Sequence, residues 1–325
     1  MRLLTFNCHE AWVAQLDALE LPFDVVDGLA GRYTDRWDER MRPRPLYARM
    51  ITLEEAQPRY DAIIGHNLTD LLEAKHLEGP RLLVLHVSLD HRVDQSKLKQ
   101  APEALRENVA RYLTLVGGHC IAVTERKRAS WELDTVGLSV DVVESFADPE
   151  AYVPWTGQTA AGIRVANQIS NREQYLWWDL HRAAFADVPV TIVGHNPDLG
   201  VEAADGWDDL KAKLAAHRFF IHTADPALED GFNMAVMEAM ATGLPIVGNA
   251  HPTSPVVDGE SGLLSDDPLV LAHHARRLLD DPALAARLGR GARAIARQRF
   301  SRGRFVRELR AALDTAAGRW RARRA

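Results

Sequence analysis

Short apolar runs alternate with stretches of helical periodicity along most of this chain. Runs at Leu3–Asn7, Phe23–Val26, Ala62–His66, Leu82–His86, Cys120–Thr124 and Val140–Glu144 read as buried strands. Between them, Glu10–Leu19, Thr69–His76 and Ala101–Val116 carry helical spacing, and Thr124-Glu125 opens a further helix through about Thr135, with Thr124 as its cap. The charged, Pro-containing stretch Arg32–Pro45 reads as a loop. Around Ala147–Ala161 the periodicity breaks at Asp-Pro, Val-Pro and Thr-Gly-Gln-Thr. A second alternating unit follows, with strands Gly162–Ala166, Val190–Val193 and Phe219–His222 and helices Arg172–Ala186 and Trp207–Ala216. An apolar helix then precedes strand Pro245–Gly248, and helical spacing runs on from Pro268. This predicts an α/β chain of two Rossmann-like, doubly wound domains facing across a cleft. The expected division is 1–155, 156–300 and a basic C-terminal helix or tail at 301–325.

The length of 325 residues agrees with two domains. A net charge of −6 argues against a general nucleic-acid binder. Two cysteines, Cys8 and Cys120, are too few for a disulfide framework and suit a reducing cytoplasm. The first residues read as a strand too short for a signal-peptide core, and no later run is long enough to span a membrane. Positive charge gathers at the end, in Arg302, Arg304, Arg307, Arg310, Arg319, Arg321, Arg323 and Arg324, with Trp320 among them. That end is either a solvated last helix or a weak, peripheral contact with an anionic membrane surface.

The most informative stretch is 228–249. Glu229 and Asp230 run into Gly231-Phe232-Asn233, and a nearly all-apolar helix follows with one carboxylate, Glu238, in its middle. A carboxylate buried there needs hydrogen-bond donors. Either a distant arginine or the backbone supplies them, or a ligand such as a sugar does.

With its Gly-Leu-Pro exit, this segment resembles E-G-F-x-x-x-x-x-E-A-M-A-x-G-x-P, the nucleotide-sugar motif of retaining GT-B glycosyltransferases of the family 4 type, the glycosyl transferases group 1. The similarity extends to the paired strands ending at His66 and His86, to Val140–Pro154, to Val193-Gly194 with Asn196-Pro197, and to Val257–Leu264. The resemblance implies a hexosyltransferase of carbohydrate biosynthesis, with a nucleotide-diphosphate sugar and a carbohydrate or other hydroxyl acceptor as its partners. On it, Glu238 accepts hydrogen bonds from the ribose, and Asp230, or Glu229 in its place, holds the transferring sugar. Backbone amides of Gly231, Phe232 and Asn233 meet the diphosphate at a helix N-terminus. His86 is either structural or close to the donor sugar.

Two departures stand out. Where the family has V-G-R-L-x-x-x-K, this chain has Asn167 for the arginine and Arg172 at the lysine position, and no glycine pair follows the first strand. Asn167 still donates hydrogen bonds, whereas Arg172 is either the remaining cation for the leaving group or a surface residue. The resemblance implies a retaining transfer without a metal or other cofactor, and because no nucleophile lies near the motif a front-face reaction is expected rather than a double displacement. The Asp doublets at 208, 266 and 280 suit turns and caps rather than metal. The departures motivate two rivals: a glycoside hydrolase or phosphorylase on the same fold, and a non-catalytic sugar- or nucleotide-binding relative.

Overall fold

The computed structural model describes residues 1–30, 36–95 and 101–325. The chain forms two compact units, Met1–Ser145 with Gly303–Ala325, and Phe146–Arg302. The sequence reading instead places a boundary after residue 155 and leaves 301–325 as a separate tail. Of the Arg32–Pro45 loop, residues up to 35 lie outside the described residues.

The first unit holds a sheet of parallel strands β1 (Leu3–Phe6), β2 (Phe23–Val26), β3 (Ala48–Ile51), β4 (Ala62–Gly65), β5 (Arg81–Leu85), β6 (His119–Ala122) and β7 (Val140–Val142). Their order is β3-β2-β1-β4-β5-β6-β7. The chain leaves β1 toward β2 and later returns to the other side at β4. The carboxyl ends of β1 and β4 therefore flank the topological switch point, where sheets of this kind bind ligands.

Strand β3 has no apolar run to announce it. It is an edge strand with alternating, half-exposed positions, held by Arg49 to the fully buried Asp24 on β2 (3.0 Å). Asp24 also accepts hydrogen bonds from Arg2 and, at 2.8 Å, from the Tyr60 hydroxyl. Thr124 caps the Glu125–Trp131 helix as expected, its hydroxyl accepting the Lys127 N–H at 3.2 Å.

The helix Arg302–Arg324 completes this unit by burying Phe305, Leu309, Leu313 and Ala316. Arg310 donates to the Leu19 carbonyl at 2.7 Å, and Arg319 to the Ser139 hydroxyl at 2.6 Å. This end of the chain thus docks by its apolar face, with part of its arginine set tied to backbone and side-chain acceptors. Among the described residues, no helix is long and apolar enough to cross a membrane.

The second unit contains β8 (Thr159–Val165), β9 (Val190–Val193), β10 (His217–His222), β11 (Ile246–Gly248) and β12 (Gly262–Leu264), all parallel, in the order β12-β11-β10-β8-β9. Its switch point lies between β8 and β10. The short edge strand β12 falls in a stretch the motif comparison treats as loop. The helix expected from Arg172 begins only at Trp178, because Trp177 adopts a left-handed conformation (φ 44°) that α-helix geometry excludes.

Candidate functional site

The carboxyl ends of β8 and β10 gather most of the residues singled out from sequence. Beyond β10 the chain runs through Glu229, Asp230 and Gly231 to the helix Met234–Thr242. The Asn233 side-chain oxygen accepts the Val236 N–H at 3.1 Å and caps that helix, and Gly243 ends it. Val236, Met237, Ala239 and Met240 are all buried, so the helix is enclosed by core rather than amphipathic. Glu238 sits just over one turn inside it and is 5% exposed.

Glu229 organises the approach. Its carboxylate accepts the Asp230 N–H at 3.0 Å and lies 3.6 Å from the Arg172 guanidinium. Arg172 thus lies beside Glu229 at the end of the loop after β8. The Asp230 side chain is 1% exposed.

Gly231 is fixed by its surroundings. Its N–H donates to the Thr253 hydroxyl at 2.9 Å, and a Cβ there would stand 2.6 Å from His251 Nδ1. His251 has little room to yield, since Nδ1 accepts the Thr253 N–H (3.1 Å) and Nε2 donates to the Glu229 carbonyl (3.0 Å). Gly231→Ala is expected to destabilise the protein by about 1–3 kcal/mol through overpacking. It should also weaken nucleotide binding, and chemical denaturation with calorimetric titration reads both. An unchanged denaturation midpoint would show that the ring yields freely.

Of the three backbone amides expected to meet an anion, that of Gly231 is placed differently. The Gly231 amide is engaged by Thr253, so it does not wait for a diphosphate. The Phe232 ring is a core element, tilted against Phe300 at 5.8 Å, with the Arg299 guanidinium 5.0 Å from its centre. The Asn233 side chain is spent on the helix cap. What remains for an anion at this terminus is backbone, not these side chains.

Asn167 is used in joining loops. Its Oδ1 accepts the His195 N–H at 2.9 Å, while Asn196 donates to the Ala166 carbonyl (2.7 Å) and accepts from Ile169 N–H (2.8 Å). Gly194, at φ +143°, permits the close approach, because a Cβ would lie 2.1 Å from the Ala166 carbonyl oxygen. The position that carries a cation in the resembled motif therefore ties the ends of β8 and β9 together here.

Sequence reasoning missed Arg164 and His222. Arg164, 2% exposed on β8, donates to the Thr223 hydroxyl (2.7 Å), to His181 Nδ1 (3.1 Å) and to the Leu176 carbonyl (3.2 Å), beside the Trp178 ring. Among the described residues it pairs with no carboxylate. Burial and the neighbouring Arg172 lower its pKa, and burial and Arg164 push His181 down to about 2. His222, ending β10, is driven to about 3 by burial, then by Arg164 and His251. Burial is the main cause of all three shifts, and the nearby cations add to it. The sequence signal was a lone arginine inside the apolar run Gly162–Ala166.

In the first unit, His86 follows β5 and meets His66, which follows β4, at 2.8 Å. His9 packs on the His86 ring at 4.1 Å, and Trp12 stands edge-on to both His66 and His86.

Comparison with known proteins decides the class. Residues 178–281 match the family model described as glycosyl transferases group 1. That stretch lies within the second unit. Over 115 residues the chain is 32% identical to the D-inositol 3-phosphate glycosyltransferase of Streptomyces avermitilis, covering 34% of this chain and 22% of that protein. Over 112 residues it is 29% identical to the O-antigen chain mannosyltransferase B of Escherichia coli, covering 34% and 26%. The matched stretch thus spans a quarter or less of the group 1 protein from Streptomyces, and little more of the other. In fold, 97% of the chain superposes on all of Anabaena HepE, solved with UDP and glucose, at TM-score 0.69 and 14% identity. WaaG, a glycosyltransferase involved in lipopolysaccharide biosynthesis, gives 0.62 and 13%, over 98% of this chain and 100% of that one. The architecture is GT-B, with two Rossmann-like units.

Proposed function

We propose that this group 1 chain moves a sugar from a nucleotide-diphosphate donor to a hydroxyl acceptor, with retention and without a metal. The observation that carries the reading is the second unit's switch point. There Glu229, 3.6 Å from Arg172, leads through Asp230 into the helix that buries Glu238, and Arg164 lies buried on β8. Glu238 suits a ribose diol, an acidic residue suits sugar hydroxyls, and the cations suit a departing diphosphate. HepE, which this chain resembles in fold, was solved with UDP and with UDP-glucose, which supports a uridine donor as the first to try. In this reading the leaving phosphate takes the acceptor's proton, and reaction proceeds on one face of the sugar. Arg302, Arg307, Arg321 and Arg323 are exposed on the last helix and are the residues proposed for weak contact with an anionic cytoplasmic membrane surface.

A thermal-shift screen of uridine, guanosine and adenosine diphosphates, then of their sugars, tests the reading. One nucleotide is expected to raise the melting temperature, and its sugar to be consumed only when an acceptor is present. A shift with none would refute it. Consumption with phosphate or water alone would favour phosphorolysis or hydrolysis, the reading that the cation-free Asn167 position supports.

A further inference from the structure

Thr5, His66 and His86 form a hydrogen-bonded line across neighbouring strands β1, β4 and β5, at the carboxyl edge of the first unit's sheet. The Thr5 hydroxyl lies 2.9 Å from His66 Nε2, and His66 Nδ1 lies 2.8 Å from His86 Nε2. The protons on this line are not free to sit anywhere. Thr5 is fully buried, and among the described residues its hydroxyl contacts only His66. A buried O–H that fails to donate is left unsatisfied, whereas an unused hydroxyl lone pair costs little. Thr5 therefore donates, and His66 Nε2 is the acceptor. The proton of a neutral His66 then sits on Nδ1 and is given to His86 Nε2, which leaves the proton of His86 on its own Nδ1.

We propose that Thr5 and His66 are positioning residues that hold His86 as its Nδ1–H tautomer, so that at the end of β5 it offers a hydrogen-bond donor and not a base. A part in turnover rests on the function proposed above; the tautomer rests on the geometry alone.

The surroundings keep the line neutral and rigid. A second proton on His86 would set two N–H groups against each other across 2.8 Å, and one on His66 would face the Thr5 hydroxyl and stop it donating. Burial, then His9, His66 and Lys127, hold the His86 pKa well below the usual histidine value. Arg92 and Lys127 add positive charge beside His9, and the Asp70 carboxylate accepts the backbone N–H of His66 at 2.8 Å. Trp12 braces both rings from the side and is itself braced by Phe305. A donor at His86 is consistent with a mechanism in which the leaving phosphate, not a histidine, deprotonates the acceptor.

Two-bond proton–nitrogen correlation spectra of the full chain labelled with 15N-histidine read tautomers directly, with His66→Gln and His86→Gln assigning the signals. At pH 7 both histidines are expected as Nδ1–H. Thr5→Val should convert His66 and His86 to mixed tautomers and lower kcat about tenfold with donor KM little changed, while Thr5→Ser should restore both. An Nε2–H signal for His86 in the unaltered protein would overturn the assignment. Expected tautomers with an unaltered kcat in Thr5→Val would overturn the positioning role. Failure of any nucleotide to bind would count against the proposed function instead, since the spectra judge the tautomers without substrate.

Discussion

Glu238→Ala is expected to remove most nucleotide binding while leaving the ligand-free protein folded. The side chain sits in an apolar helix whose other positions already fill the core, and alanine is the best helix former. Nothing in the helix periodicity requires a carboxylate there. In the proposed function it also accepts hydrogen bonds from donors brought by a ligand. A ribose offers two hydroxyls, and hydrogen bonds to a charged acceptor are each worth about 1.5–3 kcal/mol. Losing a bidentate contact should therefore weaken the diphosphate by at least about 3 kcal/mol, roughly a hundredfold in Kd. Glu238→Gln keeps the shape and one acceptor oxygen, so it should fall between alanine and the unaltered protein. Calorimetric titration with the nucleotide found in the screen gives these constants, and the melting temperature without ligand checks the fold. Equal affinity in all three proteins would assign Glu238 a structural role only.

That carboxylate was legible because burial and charge conflict within a few residues of sequence. The central strands were legible for a related reason: β1, β2, β4, β5 and β10 are buried on both faces, so they are written as continuous apolar runs. The edges were not. Ala48–Ile51 and Gly262–Leu264 are short, partly exposed, and held by neighbours distant in sequence. The docking of the last helix on the first unit is equally a tertiary fact, since its arginines announce charge but not the carbonyls they cap. Site residues divide the same way. Glu238, Gly231 and Asp230 belong to one contiguous motif. Arg164, His222 and the Thr5–His66–His86 line acquire meaning only when parallel strands bring their ends together. Asn167 could be recognised as a departure, but its partner His195 lies beyond an intervening helix and strand.

Arg172→Ala is expected to cost about 10²–10³ in kcat, with a smaller change in donor KM. Removing one donor aimed at developing charge has that order of effect when the site is partly dry. The neighbouring family cation is missing at Asn167, so no second side chain at that position shares the load. Arg164 contributes charge from a distance, but its guanidinium is committed to Thr223, His181 and Leu176 and cannot reach out in place of Arg172. Arg172→Lys should stay within about tenfold, because a point charge still meets the phosphate although the planar fork is lost. In the ligand-free structure Arg172 faces Glu229 at 3.6 Å, so a diphosphate must compete with a carboxylate for it. The pair is partly exposed and longer than a hydrogen bond, which limits its strength to about 1 kcal/mol. Glu229→Gln should then tighten diphosphate binding by up to about fivefold. Its effect on turnover decides which acid holds the sugar. If Asp230 does, Glu229→Gln leaves kcat nearly intact while Asp230→Asn loses it; the reverse pattern assigns the sugar to Glu229. Should Arg172→Ala turn over normally, the leaving group must be stabilised by the helix terminus and Arg164 alone, and the ion pair with Glu229 would be only a brace for the loop after β8.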